Sequence, residues 1–131
     1  MSEASLDLVR RWLEASNRED VQGFVELWDP QCEFFTLTGS RLSDAPYRGH
    51  AGVRRYREER TEVWAELRIE ADELREVGDR AVVIGHLCGR GRGSGVEMDH
   101  ALGLVFDFRG DRVLRVRSYP DPAQALEAAT S

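Results

Sequence analysis

The chain has 131 residues, enough for one domain with a substantial hydrophobic core. Its formal net charge is −6 and all 18 basic residues are arginine, so a nucleic-acid role has no electrostatic support. No apolar run approaches the ~20 residues of a membrane helix, and the polar first residues do not resemble a signal peptide. We therefore expect a cytoplasmic, single-domain protein spanning residues 1–131.

Two amphipathic helices are predicted at the start of the chain. The first follows Ser5, a residue type that suits the N-cap position, and is broken by the polar residues 17–20. The second has apolar residues at helical spacing from Val21 to Trp28, and Pro30 is expected to end it. Two short helices joined by so brief a loop are predicted to fold as a helical hairpin.

A short strand, a loop and a long helix are predicted next. Cys32 to Thr38 alternates in the manner of a strand. The polar loop from Gly39 to Pro46 is long enough to be a flap, and a plain surface excursion is an equal alternative. The long helix opens at Tyr47 and is expected to continue to about Arg68, with solvated Arg–Glu pairs on its exposed side.

Four consecutive strands are predicted in the second half of the chain. They cover residues 67–77, 81–88, 96–108 and the segment from Val113, and their short connections favour antiparallel pairing. A last helix follows, for which Asp121 suits the N-cap and Pro122 the first helical position.

The third of these strands carries the most distinctive polar pair. One face of residues 96–108 is apolar except for His100, while the neighbouring Asp99 belongs to the other face if the strand is regular. A bulge, for which Gly103 is a candidate, would bring Asp99 to the same side. Histidine titrates near neutral pH, so His100 is the first candidate for a catalytic acid or base, against the alternative of a core histidine bonded to backbone or to Tyr119.

Three stretches resemble the SnoaL-like branch of the NTF2-like superfamily. They are NREDVQGFVELW at residues 17–28, YRGHAGVRRY at residues 47–56 and FDFRGDRVLRVRSYPDPAQALEAA at residues 106–129. The resemblance implies an α+β cone, in which a curved antiparallel sheet wraps around the long helix, with two N-terminal helices and a short C-terminal helix. It also implies an apolar internal pocket, no cofactor, and homodimers that pair through the outer face of the sheet.

The same resemblance guides the choice of catalytic candidates. Steroid isomerases of the superfamily have an Asp–His pair on a late strand, but here the pair lies several residues too early. Their catalytic base and oxyanion tyrosine correspond to Thr36 and Trp12, so that chemistry is disfavoured. The candidates are His100 first, then Asp99, and then His86, which could pair with His100 across the sheet.

Aromatic residues are the candidates for binding a small hydrophobic ligand, although each alone is also a plausible core residue. Two or three of them are expected to line the pocket, and the tyrosines could donate a hydrogen bond to a carbonyl or phenol. The candidates are Trp12, Trp28, Phe34, Tyr47, Tyr56, Trp64 and Tyr119.

Other residue types give weaker signals. Cys32 and Cys88 stand alone in apolar runs and are predicted to be reduced core thiols. The three histidines lack metal-ligand spacing, so no metal is expected, and His50 is predicted to be structural. The segment GRGRGSG at residues 89–95 is expected to be a flexible turn with solvated charges, and the functional alternative is an RNA-binding or anion-binding loop.

Two functions follow from these observations. The first is a cofactor-independent isomerase, cyclase or hydrolase that acts on a small hydrophobic cyclic molecule by general acid–base catalysis. The second is a non-enzymatic dimer that binds a ligand or a protein, because the catalytic residues of well-known relatives are absent at Trp12 and Thr36.

Overall fold

The computed structural model describes residues 3–38, 41–42 and 45–130. The helices are α1 (Glu3–Asn17), α2 (Val21–Glu26), α3 (Gly49–Val63) and α4 (Pro122–Ala129). The strands are β1 (Trp28–Phe35), β2 (Leu37–Thr38), β3 (Arg41–Leu42), β4 (Tyr47–Arg48), β5 (Trp64–Val77), β6 (Arg80–Gly91), β7 (Glu97–Arg109) and β8 (Arg112–Tyr119).

Six strands form one curved sheet in the order β4-β1-β8-β7-β6-β5, and β2 pairs with β3 separately. The predicted antiparallel meander from β5 to β8 is confirmed. The sheet differs from the prediction in one respect, since β1 runs parallel to β8. The first strand of the chain therefore lies beside the last.

A bulge bends the outer half of the sheet. Ala71 pairs with Gly85 and Glu73 with Ile84, so Asp72 has no partner in the ladder. Such a bulge increases the local twist and bends the strand. A side chain at Gly85 would overlap the carbonyl oxygen of Glu70, so the strands approach each other there as only glycine allows.

The two faces of the sheet pack differently. Helices α1, α2 and α3 cover the inner face around an aromatic core, whereas α4 packs on the outer face against β6 and β7. A Cβ atom at Gly103 would lie 2.5 Å from the Cβ of Ala125, so this glycine lets α4 approach the sheet closely. The predicted cap of α4 is confirmed, because the Asp121 carboxylate accepts from the Ala123 amide at 2.9 Å.

Several predicted element ends are wrong. Ser5 lies inside α1, which begins at Glu3, and is not its N-cap. Helix α2 ends at Glu26, and Trp28 already belongs to β1. Helix α3 ends at Val63 rather than near Arg68, because the chain from Trp64 pairs with β6. Tertiary pairing here overrides a helical apolar pattern.

Part of the predicted flap lies outside the described residues. Residues 39–40 and 43–44 are not described, whereas Arg41–Leu42 forms a short hairpin with Leu37–Thr38. Whether the segment closes as a flap stays a prediction.

Three arginines donate hydrogen bonds to backbone carbonyls near the C-terminal ends of α1 and α3. Arg57 donates to the carbonyls of Ala15, at 3.2 Å, and of Arg18, at the end of α1. Arg60 donates to the carbonyls of Ser16 at 2.7 Å and Leu67 at 2.9 Å. Arg92 donates to Thr61 at 2.8 Å, near the end of α3. Guanidinium groups at helix C-termini satisfy free carbonyls and complement the negative end of the helix dipole.

Candidate functional site

A cavity of about 610 Å³ opens between the helices and the inner face of the sheet. Its volume lies within the range of pockets that hold small organic ligands. Its wall is mostly apolar and is built by helices α1 and α3, strands β1, β4, β5, β6, β7 and β8, and the segment after β1. The lining side chains are Trp12, Phe34, Thr36, Leu37, Tyr47, Tyr56, Glu59, Arg60, Val63, Trp64, Leu67, Ile69, Leu87, Met98, His100, Leu102, Leu104 and Ser118.

Strand β7 runs from the mouth of the cavity to its closed end. Met98, His100, Leu102 and Leu104 alternate along this strand and contribute to the wall. His100 is exposed, whereas Leu102 is 3% exposed and Leu104 is 2% exposed. The imidazole therefore lies at the mouth, and the wall becomes apolar and enclosed beyond it.

His100 is not the satisfied core histidine that was its alternative interpretation. Tyr119 pairs with Gly103 and so belongs to the opposite face of the sheet. Among residues 3–38, 41–42 and 45–130, no side chain or carbonyl accepts or donates a hydrogen bond to the His100 ring. Both ring nitrogens remain available to a bound molecule.

A tyrosine and a carboxylate form a second polar group at the mouth. The Tyr47 hydroxyl donates to Oε1 of Glu59 at 2.6 Å, and the guanidinium of Arg55 lies 5.1 Å from the Tyr47 ring centre. Burial, followed by this hydrogen bond to Glu59, raises the pKa of Tyr47 to about 12. The phenol is therefore neutral at working pH and holds the carboxylate in place.

The sequence analysis missed Glu59 as a cavity residue and assigned it to the solvated side of the long helix. The signal that could have identified it is its spacing from Tyr56, three residues earlier on α3, which also lines the cavity. Residues i and i+3 share a helix face.

The closed end of the cavity has two hydroxyl side chains, Thr36 and Ser118. Ser118 is 5% exposed and pairs with Leu104, whose side chain is among the most buried of the core. The sequence analysis did not assign Ser118 to the site. Ser118 alternates with Val113 and Val116 only irregularly, so no local pattern marked it. Thr36 entered the sequence analysis only because it corresponds to the catalytic base of the steroid isomerases of the superfamily.

Most of the predicted ligand-binding aromatics lie on the wall, although binding itself stays a prediction. The five that line the cavity are Trp12, Phe34, Tyr47, Tyr56 and Trp64. Trp28 does not reach it, because it packs behind Trp12 and Phe34 with ring centres 6.0 Å and 5.2 Å away. Tyr119 is on the outer face, where it packs with α4.

Asp99 and His86 are separated from His100 by the sheet. The β6–β7 ladder runs without a register shift from Ala81–Phe106 to Arg90–Glu97, so no bulge turns Asp99 inward. His86 pairs with Ala101, and His100 pairs with Leu87, so the pairing of the two histidines that the sequence left open does not occur. The three candidates do not form one site.

On the outer face, His86 lies between two carboxylates. Its Nδ1 is 2.8 Å from Oδ1 of Asp99, and its Nε2 is 3.5 Å from Oδ2 of Asp72, the bulge residue. The hydrogen bond to Asp99 is the largest cause of a raised pKa for His86. The imidazole side chain is 46% exposed, so the charge interactions are screened by water.

Replacing Asp99 with asparagine is expected to lower the pKa of His86, because Asp99→Asn removes the carboxylate that stabilises the imidazolium. Because the pKa of His86 is raised in the folded state, its protonation stabilises the fold at pH values below its ordinary pKa of about 6.5. That contribution is lost as the pH rises through the folded-state pKa. NMR titration of the ring protons measures the shift. Asp72→Asn, at the longer distance, is the control with the smaller effect, and an unchanged pKa in Asp99→Asn contradicts the assignment.

His50 has a structural contact. Its Nε2 is 2.7 Å from the carbonyl oxygen of Trp28, so it donates a hydrogen bond that links the first turn of α3 to β1. This contact agrees with the structural role predicted for it.

The cysteines are free and buried in the structure. Burial raises the pKa of the Cys32 thiol to about 11 and also raises that of Cys88. Within the described ranges, no group of three or more His, Cys, Asp or Glu side chains is arranged to hold a metal ion. In the same part of the chain, no helix has the length and hydrophobicity needed to cross a bilayer.

Known structures share this architecture over almost the whole chain. An NTF2-like protein of unknown function from Burkholderia pseudomallei is 24% identical, with all of both chains covered and a TM-score of 0.79. TerC, which was co-crystallised with polyporic acid, is 20% identical, with 98% of this chain and 100% of that chain covered and a TM-score of 0.79. A structure described as a SnoaL-like polyketide cyclase from a Jannaschia species is 17% identical, with 100% and 96% covered and a TM-score of 0.77.

These likenesses establish the fold. No curated protein sequence matches the chain. A family model for the SnoaL-like domain matches residues 9–116, which include the second half of α1, all of α2, the cavity-forming helix α3 and most of the sheet. The chain therefore belongs to the SnoaL-like domain family, with the NTF2-like α+β fold.

Proposed function

We propose that this protein binds a small hydrophobic cyclic molecule in its cavity and transforms it by general acid–base catalysis at His100. The observation that carries the proposal is the His100 ring, whose two nitrogens have no hydrogen-bond partner among the described residues, at the mouth of an apolar cavity of about 610 Å³. Neutral imidazole accepts a proton and imidazolium donates one at physiological pH, so a single histidine can serve both halves of an isomerisation or cyclisation.

The cavity favours reactions that move a proton next to a carbonyl. Apolar walls at Leu102, Leu104 and Trp64 exclude water from the ring of a bound molecule. The imidazole would remove a proton from carbon and return it at another position, while Tyr47, held by Glu59, borders the same opening. No cofactor is required for such a proton transfer.

Replacing His100 with alanine is expected to abolish proton transfer, with a loss of about a hundredfold or more. The readout is deuterium incorporation from heavy water into a panel of cyclic ketones (indanone, tetralone and decalone), measured by mass spectrometry. This readout reports proton abstraction even when no net product forms. His86→Ala is the matched control, because His86 lies on the opposite face of the sheet and its removal should leave exchange unchanged.

Equal exchange in wild type and His100→Ala would exclude His100 as the base. An equal loss of deuterium exchange in His86→Ala would indicate that the reaction occurs at the outer face of the sheet. Circular dichroism of each variant separates these outcomes from unfolding, because an exposed histidine contributes little to stability.

A second function, ligand binding without catalysis, is favoured by one observation. The His100 ring has no carboxylate or hydroxyl partner among the described residues, so nothing orients it as a catalytic histidine is commonly oriented. If the protein only binds, ligand affinity should be constant between about pH 5 and pH 8, where a histidine titrates. A steep change of affinity in that range would support the enzyme instead.

We also propose a cytoplasmic homodimer that pairs through the outer face of the sheet beside α4. On this face Arg115 and Arg117, which are ion-paired with Glu33 and Asp107, lie toward β1, and Glu70, Asp72 and Asp99 lie toward β5. A twofold arrangement would set each side against the opposite side of the second copy. Light scattering of the purified protein at low and high salt measures the assembly.

A further inference from the structure

Resting on the function proposed above, we propose that Thr36 and Ser118 form a hydroxyl pair that binds a neutral oxygen of the ligand at the closed end of the cavity. The ligand class that fits is a flat molecule of two or three rings with a carbonyl or hydroxyl at each end. One end meets the hydroxyl pair and the other meets His100.

Ser118 presents an accessible hydroxyl to the cavity. It is 5% exposed, lines the cavity, and makes no side-chain hydrogen bond within the portion of the chain that the structure describes. Its strand neighbour is Leu104, an apolar residue that cannot provide a partner. Because the Ser118 oxygen is accessible from the cavity, a ligand oxygen at this position would replace water as its hydrogen-bond partner.

Thr36 lies beside it because of the parallel pairing of β1 and β8. The last ladder pair of β1 and β8 is Phe35 with Arg117, so Thr36 and Ser118 are the residues that directly follow this pair where β1 ends. Adjacent strands are about 4.8 Å apart, a distance over which two hydroxyls can bind one oxygen atom. Both side chains are on the cavity wall.

The strand geometry also gives the length of the ligand. His100 precedes Leu104, the partner of Ser118, by four residues on β7. At about 3.3 Å per residue this places the two polar ends roughly 13 Å apart along the strand. Leu102 occupies the wall between them, so the middle of the ligand must be apolar.

The chemistry of the closed end excludes a charged group. Neither hydroxyl carries a charge, and the wall includes Leu104, the ladder partner of Ser118, and the packed rings of Phe34 and Trp12. A carboxylate or phosphate would lose its hydration there without a cation to replace it. A hydroxyl side chain both donates and accepts, so it can bind either a carbonyl or a phenol.

The experiment uses three probes of one shape and the full-length protein. The probes are biphenyl, biphenyl with one para hydroxyl, and biphenyl with a para hydroxyl on each ring. Tryptophan fluorescence follows binding, because Trp64 lines the cavity. In the wild type we expect each added hydroxyl to strengthen binding by about fivefold to tenfold, the effect of one net hydrogen bond.

Variants then assign each gain to a side chain. In the double variant that combines Ser118→Ala with Thr36→Val, the gain in affinity from the first hydroxyl should vanish, while the affinity for biphenyl should stay the same. In His100→Ala, only the gain from the second hydroxyl should vanish. Ser94→Ala, which removes an exposed hydroxyl at the β6–β7 turn, is the matched control and should keep both gains.

The outcomes separate this proposal from the function on which it rests. Equal wild-type affinity for all three probes, or gains that persist in the double variant, would overturn the hydroxyl pair and leave the apolar cavity as a binding site. Failure of every probe, biphenyl included, to bind the wild type would overturn the proposed binding function as well. The wild-type series gives this answer even if a variant fails to fold.

Discussion

Trp12→Ala is expected to lower the free energy of unfolding by about 3–5 kcal/mol, the range observed for removing a large aromatic side chain from a core. Trp12 is 0% exposed. Its ring centre lies 5.3 Å from that of Phe24 and 5.0 Å from that of Phe106, so it joins α1 and α2 to the sheet. Chemical denaturation measures the loss, and the midpoint should fall without a change in slope.

Trp12→Phe is the control that separates packing from hydrogen bonding. The Nε1 of Trp12 is buried and has no hydrogen-bond partner among the described residues, so the smaller aromatic ring loses volume but removes an unsatisfied donor. We expect a loss of less than about 2 kcal/mol, because the two effects oppose each other. A loss as large as that of Trp12→Ala would show that the indole nitrogen has a partner that the contacts above do not include.

Arg57→Ala is expected to lower the free energy of unfolding by about 2–4 kcal/mol, because two carbonyls at the end of α1 would lose their donor. Arg57 is one of the few charged side chains of the described core that are almost fully buried, and its guanidinium lies 5.0 Å from the Phe24 ring centre. Burial, followed by the charge of Arg60, lowers the pKa of Arg57. The carbonyl contacts offset this cost of burying a charge.

The matched control is Arg54→Ala, three residues earlier on α3. Arg54 is exposed and its contact is a single hydrogen bond to Gln22 at 3.0 Å, so the change should stay within about 0.5 kcal/mol. Arg57→Lys should be intermediate, because an ammonium keeps the charge but lacks the planar fork that reaches two carbonyls. A loss in Arg57→Ala no greater than in Arg54→Ala would contradict the bridging role.

The fold was predictable where the local pattern and the tertiary contacts agree. The alternation of β7 and its turn at Gly110 lie in one continuous stretch, so the sequence indicated both the strand and the side that His100 faces. The cap of α4 at Asp121 was equally local. Such features depend on neighbours within a few residues, and a single sequence contains them in full.

Errors occurred where distant pairing decides the local structure. Val63 is 58% exposed and ends α3, although the long helix was predicted to continue to about Arg68. The chain leaves the helix because Trp64 pairs with Gly91. Trp28 fits the helical spacing of α2 and the core side of β1 equally well, so periodicity could not choose between them.

The candidate site was predictable only in part for the same reason. Alternation placed His100 and Asp99 on opposite faces, and the regular β6–β7 ladder keeps them there. Thr36 and Ser118 are 82 residues apart, and only the parallel β1–β8 pairing makes them neighbours. No local pattern contains that pairing, which is why sequence reasoning did not bring the two hydroxyls together.

The β1–β8 pairing also bears on how the chain folds. Strand β1 is made early and pairs with β4 on one side, but its partner on the other side is β8, residues 112–119. That edge of β1 therefore stays open until nearly the whole sheet has been synthesised. Contacts of such long sequence separation slow folding, and an unpaired apolar strand invites aggregation meanwhile. We therefore expect the hairpins of β5 to β8 to form first, and the binding cavity to close last, as a late step of folding.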